Sequence, residues 1–194
     1  MKRHFAIPAA VAAFGLLALA PLSQAQSGQT APASKSGSAN RLASADETFV
    51  KKAAQGGMAE VKLGELAKDH ASNNAVKQFG QQMVDDHSKA NDELKSLASK
   101  KGLTLPSDLD AKDQATYDRL SKLNGAEFDR AYMADMVKDH RTDVSEFRRE
   151  SERGQDSDLK SWAGKTLPTL EHHLQMAEST DKEVRGGAAA SSKK

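Results

Sequence analysis

Four stretches of the chain repeat apolar residues at three- and four-residue steps, and one ionisable side chain interrupts each stripe. The first stripe is Phe49, Ala53, Gly56, Glu60, Leu63, Ala67, and the second is Val76, Phe79, Met83, His87, Ala90, Leu94, Leu97. The third is Phe128, Tyr132, Met136, His140, Val144, Phe147, and the fourth is Leu159, Trp162, Thr166, Leu170, His173, Leu174, Ala177. This period is that of helices with one buried face. Strand-like alternation is missing, and Ala, Leu, Lys, Glu, Gln and Met dominate, so the fold class is all-α. A carboxylate or imidazole on a buried face is costly unless it is paired, neutralised or ligated. Four of them, one per helix, mark a candidate site.

The chain opens with the pattern of an export signal. Lys2, Arg3 and His4 precede an apolar run from Phe5 to Ala20, and Ser23-Gln24-Ala25 offers small residues for cleavage. Pro8 and Pro21 interrupt the run, which is short for a membrane span of ~20 residues, although an uncleaved anchor is the alternative. With no cysteine in the chain, a lipid-modified cysteine and disulfides are both excluded. Loss of residues 1–25 leaves 26 basic against 27 acidic residues. Such a near-neutral chain gives no reason to expect nucleic acid or an anionic membrane as partner. The expected location is the periplasm, in association with the outer membrane or free of it. Self-association or another envelope protein are the partners left open.

Residues 26–45 are small and polar and read as a linker, residues 46–182 as the helical domain, and residues 183–194 as a disordered tail. Ser44 or Asp46 is a candidate cap for the first helix, which is expected to end near Ala71. Ser72-Asn73-Asn74 starts the second, which stops at Lys100-Lys101-Gly102. A loop with Pro106 leads to a short helix over Lys112 to Leu123, ended by Asn124-Gly125. The third long helix ends at Arg153-Gly154, and the fourth begins after Asp156 or Ser157 and carries Pro168 inside it. Two hairpins joined by a long connection with its own helix predict a ferritin-like four-helix bundle with one crossover. Gly56-Gly57 is expected to allow a close helix–helix approach. A local echo relates Phe79-x-x-x-Met83-Val84-x-Asp86-His87 to Tyr132-x-x-x-Met136-Val137-x-Asp139-His140.

Four segments carry a resemblance. They are Ala53-Ala54-Gln55-Gly56-Gly57-Met58-Ala59-Glu60-Val61-x-Leu63-Gly64, Met83-Val84-Asp85-Asp86-His87, Leu120-Ser121-Lys122-Leu123-Asn124-Gly125-Ala126-Glu127-Phe128-Asp129 and Lys165-Thr166-Leu167-Pro168-x-Leu170-x-His172-His173-Leu174. Together they resemble the bacterial family called domain of unknown function 4142, over about residues 45–180. The resemblance implies an exported, ferritin-like helical domain and no established activity. Members often carry the label outer membrane protein, which cannot mean a β-barrel here because the alternating pattern is missing.

Helix geometry tests whether the four residues can meet. About a turn near Asn73, Glu60 and His87 differ in height by only ~1.5 Å, while about a turn near Gln155, His140 and His173 differ by ~4.5 Å. If they converge, three imidazoles and a carboxylate suit a divalent transition metal such as zinc, iron or copper. Asp86, Asp139, His172 and Glu171 are candidates to support the ligands from behind. Glu-x-x-His, the mark of dimetal ferritin-like sites, is absent, which argues against ferroxidase or oxygenase chemistry. Met58, Met83, Met133, Met136 and Met176 suggest copper, but at helical spacing they serve as core filler. Two other readings stay open: a polar core in which each histidine is satisfied by a neighbouring carboxylate, and a pH-responsive layer. No nucleophile–base pair is visible. The functional expectation is a non-catalytic helical envelope protein, with a metal-binding or metal-buffering domain as the alternative.

Overall fold

The computed structural model describes residues 42–191. The expected export signal and residues 26–41 of the expected linker lie outside them. Helix α1 (Ser44–His70) and α2 (Asn74–Lys100) form one hairpin, and α4 (Gly125–Arg153) and α5 (Ser157–Ser191) form the other. The connection between them carries α3 (Ala111–Leu120), which packs against α1 and α4. Each helix packs most closely on its hairpin partner, and α1 on α4 and α2 on α5 close the bundle. This is an all-α four-helix bundle with an extra helix in its crossover.

The helix boundaries follow from local chemistry. The side chain of Asn73 accepts a hydrogen bond from the Ala75 amide at 2.7 Å, and that of Asp110 accepts from Asp113 at 2.8 Å. Both caps satisfy amides that the first turn leaves unpaired. Gly102 and Gly125 hold φ of 67° and 61°, the left-handed conformation expected where a helix stops or a loop turns into the next one. The start of α1 differs from expectation. Ala43 is the cap position and has no side-chain cap. Asp46 is buried and instead accepts from the amides of Gln155 and Asp156 in the α4–α5 turn, at 3.1 and 2.8 Å. Asp129 on α4 does the reciprocal service, accepting from Ser72 and Asn73 in the α1–α2 turn. Helix α5 passes through Pro168 and continues to Ser191, where a disordered tail from residue 183 was expected. Ala-rich sequence after Gly187 carries enough helix propensity to extend it.

The close approach of α1 and α2 occurs at Gly64 and Gly80, not at Gly56-Gly57. A Cβ on Gly64 would lie 2.5 Å from the Gly80 carbonyl oxygen, whereas one on Gly56 would meet nothing within 4 Å. Gly57 lies against the side chain of Asn91.

The core is in two parts. One cluster gathers Leu63, Phe79, Met83, Phe128, Tyr132, Met136 and their neighbours, and the other gathers Phe49, Leu94, Val144, Phe147, Trp162 and Leu170. Along every long helix the stripe passes from one cluster to the other through its ionisable residue. Glu60 lies between Ala54 and Leu63, His87 between Met83 and Leu94, His140 between Met136 and Val144, and His173 between Leu170 and Ala177. The two apolar cores thus meet at a polar waist.

Candidate metal centre

At the waist, α2, α4 and α5 each contribute one imidazole. His87, His140 and His173 are 7, 0 and 1 % exposed, and one nitrogen from each lies within 4.8 Å of the other two. Their ring centroids are 5.4–5.8 Å apart. The hydrogen bonds assign the ring nitrogens. His140 Nδ1 donates to the Met136 carbonyl at 3.1 Å, leaving its Nε2 buried without a partner. His173 Nε2 donates to Asp86 Oδ2 at 2.8 Å, leaving its Nδ1 likewise. His87 Nε2 is also buried and unpartnered. A carbonyl behind one ring and a carboxylate behind another fix tautomer and orientation, the arrangement that supports metal-ligating histidines.

The electrostatics keep all three rings neutral. Burial, followed by the two neighbouring imidazoles, holds His87 well below the usual histidine range. Burial and His173 bring His140 down to about 4, against the opposing pull of the Met136 carbonyl and Asp139. Burial lowers His173 although its bond to Asp86 works the other way. The His173–Asp86 contact is therefore a hydrogen bond from a neutral ring and not an ion pair at pH 7. Gln82 shares Asp86 Oδ2, at 2.6 Å, and with His173 holds this carboxyl below its ordinary value despite partial burial.

Glu60 does not join the imidazoles. Its Oε1 is 3.8 Å from His140 Nδ1, the nitrogen already committed to Met136. Glu60 approaches His140 from the side opposite its free nitrogen. It belongs instead to a carboxylate cluster with Asp139 and Asp143, whose oxygens lie within 4.8 Å of one another. Glu60 is 1 % exposed, and neither of its oxygens has a hydrogen-bond partner. Two carboxylates have no donor between them, so Glu60 and Asp139 can bond only when one carries a proton. Burial, then the charges of Asp139 and Asp143, push Glu60 well above its ordinary value. Burial, Asp139 and Glu146 push half-buried Asp143 upward.

The expected supporting residues divide. Asp86 stands behind His173, whereas Asp139 turns to Glu60 and to Lys112, 3.3 Å away. His172 is exposed, and Glu171 pairs with Arg148 at 2.5 Å. His172 is one residue from His173 and Glu171 two, so steps of ~100° and ~200° turn both away from the direction of His173. Sequence reasoning missed Asp143. Its signal was the four-residue step from Asp139, which puts both carboxylates on one edge of α4.

A cavity of about 20 Å³ for water centres reaches the waist between α1, α2, α4 and α5. His87, Asp143, Gly57 and Trp162 are in its wall, and the Trp162 indole N–H is buried without a partner. The space suits about one water molecule. Roomier grooves of about 510 and 610 Å³ touch neither cluster. A tetrahedral ion with bonds of ~2.0–2.1 Å would space its nitrogens ~3.3 Å apart, inside the 4.8 Å within which the three lie, and would leave a fourth position open.

Among the described residues no helix is long and apolar enough to cross a membrane. No functionally curated protein matches the chain in sequence. The fold is similar to that of the DUF305 fragment from Deinococcus radiodurans, with a TM-score of 0.65 at 11 % identity, over 74 % of this chain and 99 % of that one. It is also similar to a DUF305 protein from Streptomyces coelicolor described as secreted, with a TM-score of 0.62 at 16 % identity, over 72 % of this chain and 92 % of that one. At such identities the likeness is one of fold. The family model described as a domain of unknown function (DUF4142) matches residues 31–180, and the chain belongs to that family.

Proposed function

We propose that this is an exported, non-enzymatic helical protein whose waist binds one transition-metal ion through His87, His140 and His173. The observation that supports the reading is three buried imidazoles, each with an unpartnered nitrogen, converging from three helices. A satisfied polar core would have paired those nitrogens, and imidazoles held neutral are ready to ligate. Three nitrogen donors without thiolate suit zinc(II) or copper(II). Residues 1–25 support export, and a fold relative described as secreted agrees with it. Export would place the protein in the periplasm. Metal held in this way would be stored or buffered.

Metal analysis of protein purified from the periplasm, followed by zinc and copper titration of the stripped protein, tests the reading. One equivalent is expected in wild type, with at least a tenfold weaker affinity in His87→Ala and His140→Ala. Substoichiometric uptake by folded wild type, or unchanged uptake by both variants, would reject it.

A further inference from the structure

We propose a second cation site on Glu60, Asp139 and Asp143, taking a hard divalent cation of the calcium class. It lies beside the Nδ1 edge of His140, away from that ring's free nitrogen, and uses none of the three imidazoles.

Three carboxylates within 4.8 Å would not by themselves make a site, since acidic groups often gather on helix surfaces. The separate observation is Glu60, almost wholly buried with both oxygens unpartnered. An ionised carboxylate in that position calls for a cation or a proton. Protein cations supply little. Lys112 reaches Asp139 at 3.3 Å but is 69 % exposed and also serves Asp113 at 3.7 Å. The Tyr132 hydroxyl, fully buried and unpartnered, feels the charge of Glu60 and cannot neutralise it.

The donors are oxygens only, which selects a hard ion over zinc or copper. Geometry narrows the class. Magnesium demands near-ideal octahedral geometry and keeps several of its waters, whereas calcium accepts a flexible shell of carboxylates, so three carboxylates gathered from two helices suit calcium better. Asp143 lies in the wall of the waist cavity, which has room for about one water molecule. Water from that side would complete the coordination.

The rival explanation is a single proton shared between Glu60 and Asp139, and calcium titration separates the two. Protein stripped with chelator is titrated calorimetrically with calcium, with magnesium as control, and its melting temperature is recorded with and without calcium. Wild type is expected to bind one calcium ion and to melt higher, with weaker magnesium binding. Glu60→Gln and Asp143→Asn should bind at least tenfold more weakly. His173→Ala should retain calcium binding while losing zinc, which keeps this site's fate distinct from that of the imidazole site. Wild type that ignores calcium, with Glu60→Gln raising the melting temperature, would establish the shared proton and overturn the proposal. So would calcium binding equally well to wild type and both carboxylate variants.

Discussion

Asp86 acts on the imidazole cluster through one hydrogen bond. By accepting from His173 Nε2 at 2.8 Å it holds the proton there and leaves Nδ1 free to face the cluster. Removing such a partner typically weakens metal binding ~10–100-fold without removing a ligand. Asp86→Ala is therefore expected to lower zinc affinity within that range, less than loss of His173 itself. Asp86→Asn, whose amide oxygen can still accept, should fall between wild type and Asp86→Ala. Competition against a chromophoric chelator measures both, and an Asp86→Ala protein with wild-type affinity would show that His173 needs no such support. The polar members of the waist could be read from the sequence because each broke an apolar stripe. Which side of His140 Glu60 takes could not, since that depends on lateral packing between α1 and α4. Asp143 was hidden among the charged residues of the α4 surface, where a buried-edge carboxylate looks like any solvated one.

At the scale of helices, boundaries were legible wherever an Asn, Asp or Gly performs a job that the backbone needs done. Close packing was not. Gly56-Gly57 looked like the point of helix contact, yet the backbones of α1 and α2 meet at Gly64 and Gly80. Gly57 and Gly64 are two turns apart on the same face of α1, and what decides between them is the residue opposite on α2, the Asn91 side chain at one and Gly80 at the other, which no local pattern encodes. Two alanine substitutions distinguish the positions. A Cβ on Gly80 would stand 2.8 Å from the Gly64 carbonyl oxygen and 2.7 Å from the Ala67 Cβ, neither of which is a flexible chain end. Overpacking of that kind costs ~1–3 kcal/mol and outweighs the gain of up to ~1 kcal/mol from helix propensity. Gly80→Ala should therefore unfold at lower urea concentration. At Gly56, where the space is open, alanine should add ~0.5–1 kcal/mol and raise the midpoint. Matching midpoints for the two variants would remove Gly80 as the crossing point. The Met-Val-x-Asp-His echo also reads differently at this scale. It relates α2 to α4, the second helix of one hairpin to the first of the other, so it does not record a duplicated hairpin.

In the whole molecule the two hairpins are bound less to each other than each is within itself. The seam between them is held at both ends by buried carboxylates, Asp129 on the Ser72–Asn73 turn and Asp46 on the Gln155–Asp156 turn. Midway between these ties stand His87 from one hairpin and His140 and His173 from the other. An ion bound there would cross-link the hairpins where no side-chain hydrogen bond joins two rings. Free zinc at a hundred times its dissociation constant adds ~2.7 kcal/mol to the folded state. For a domain of this size that raises the melting temperature by ~6–10 °C. The gain should depend on pH with a defined sign. His140 titrates at about 4 in the fold and at an ordinary histidine value when unfolded, so the unfolded chain takes up its proton first. Stability from the neutral ring is complete above ~6.5 and is lost as pH falls toward about 4, and the lowered His87 and His173 act in the same direction. Glu60 and Asp143 oppose this, because a raised carboxyl loses stability as pH rises above its ordinary value of ~4.3 or ~3.9. The zinc increment isolates the imidazoles from that background, since bound metal requires the rings without their extra protons. Melting curves with and without zinc should differ clearly at pH 7.5, keep most of that difference near pH 5, and converge as pH falls toward about 4, where His140 takes up its proton, and His140→Ala should show a smaller increment throughout. Wild type that melts alike with and without zinc at pH 7.5 would leave the seam to apolar packing and to its hydrogen bonds, those of Asp46, Asp129 and Asp86 among them.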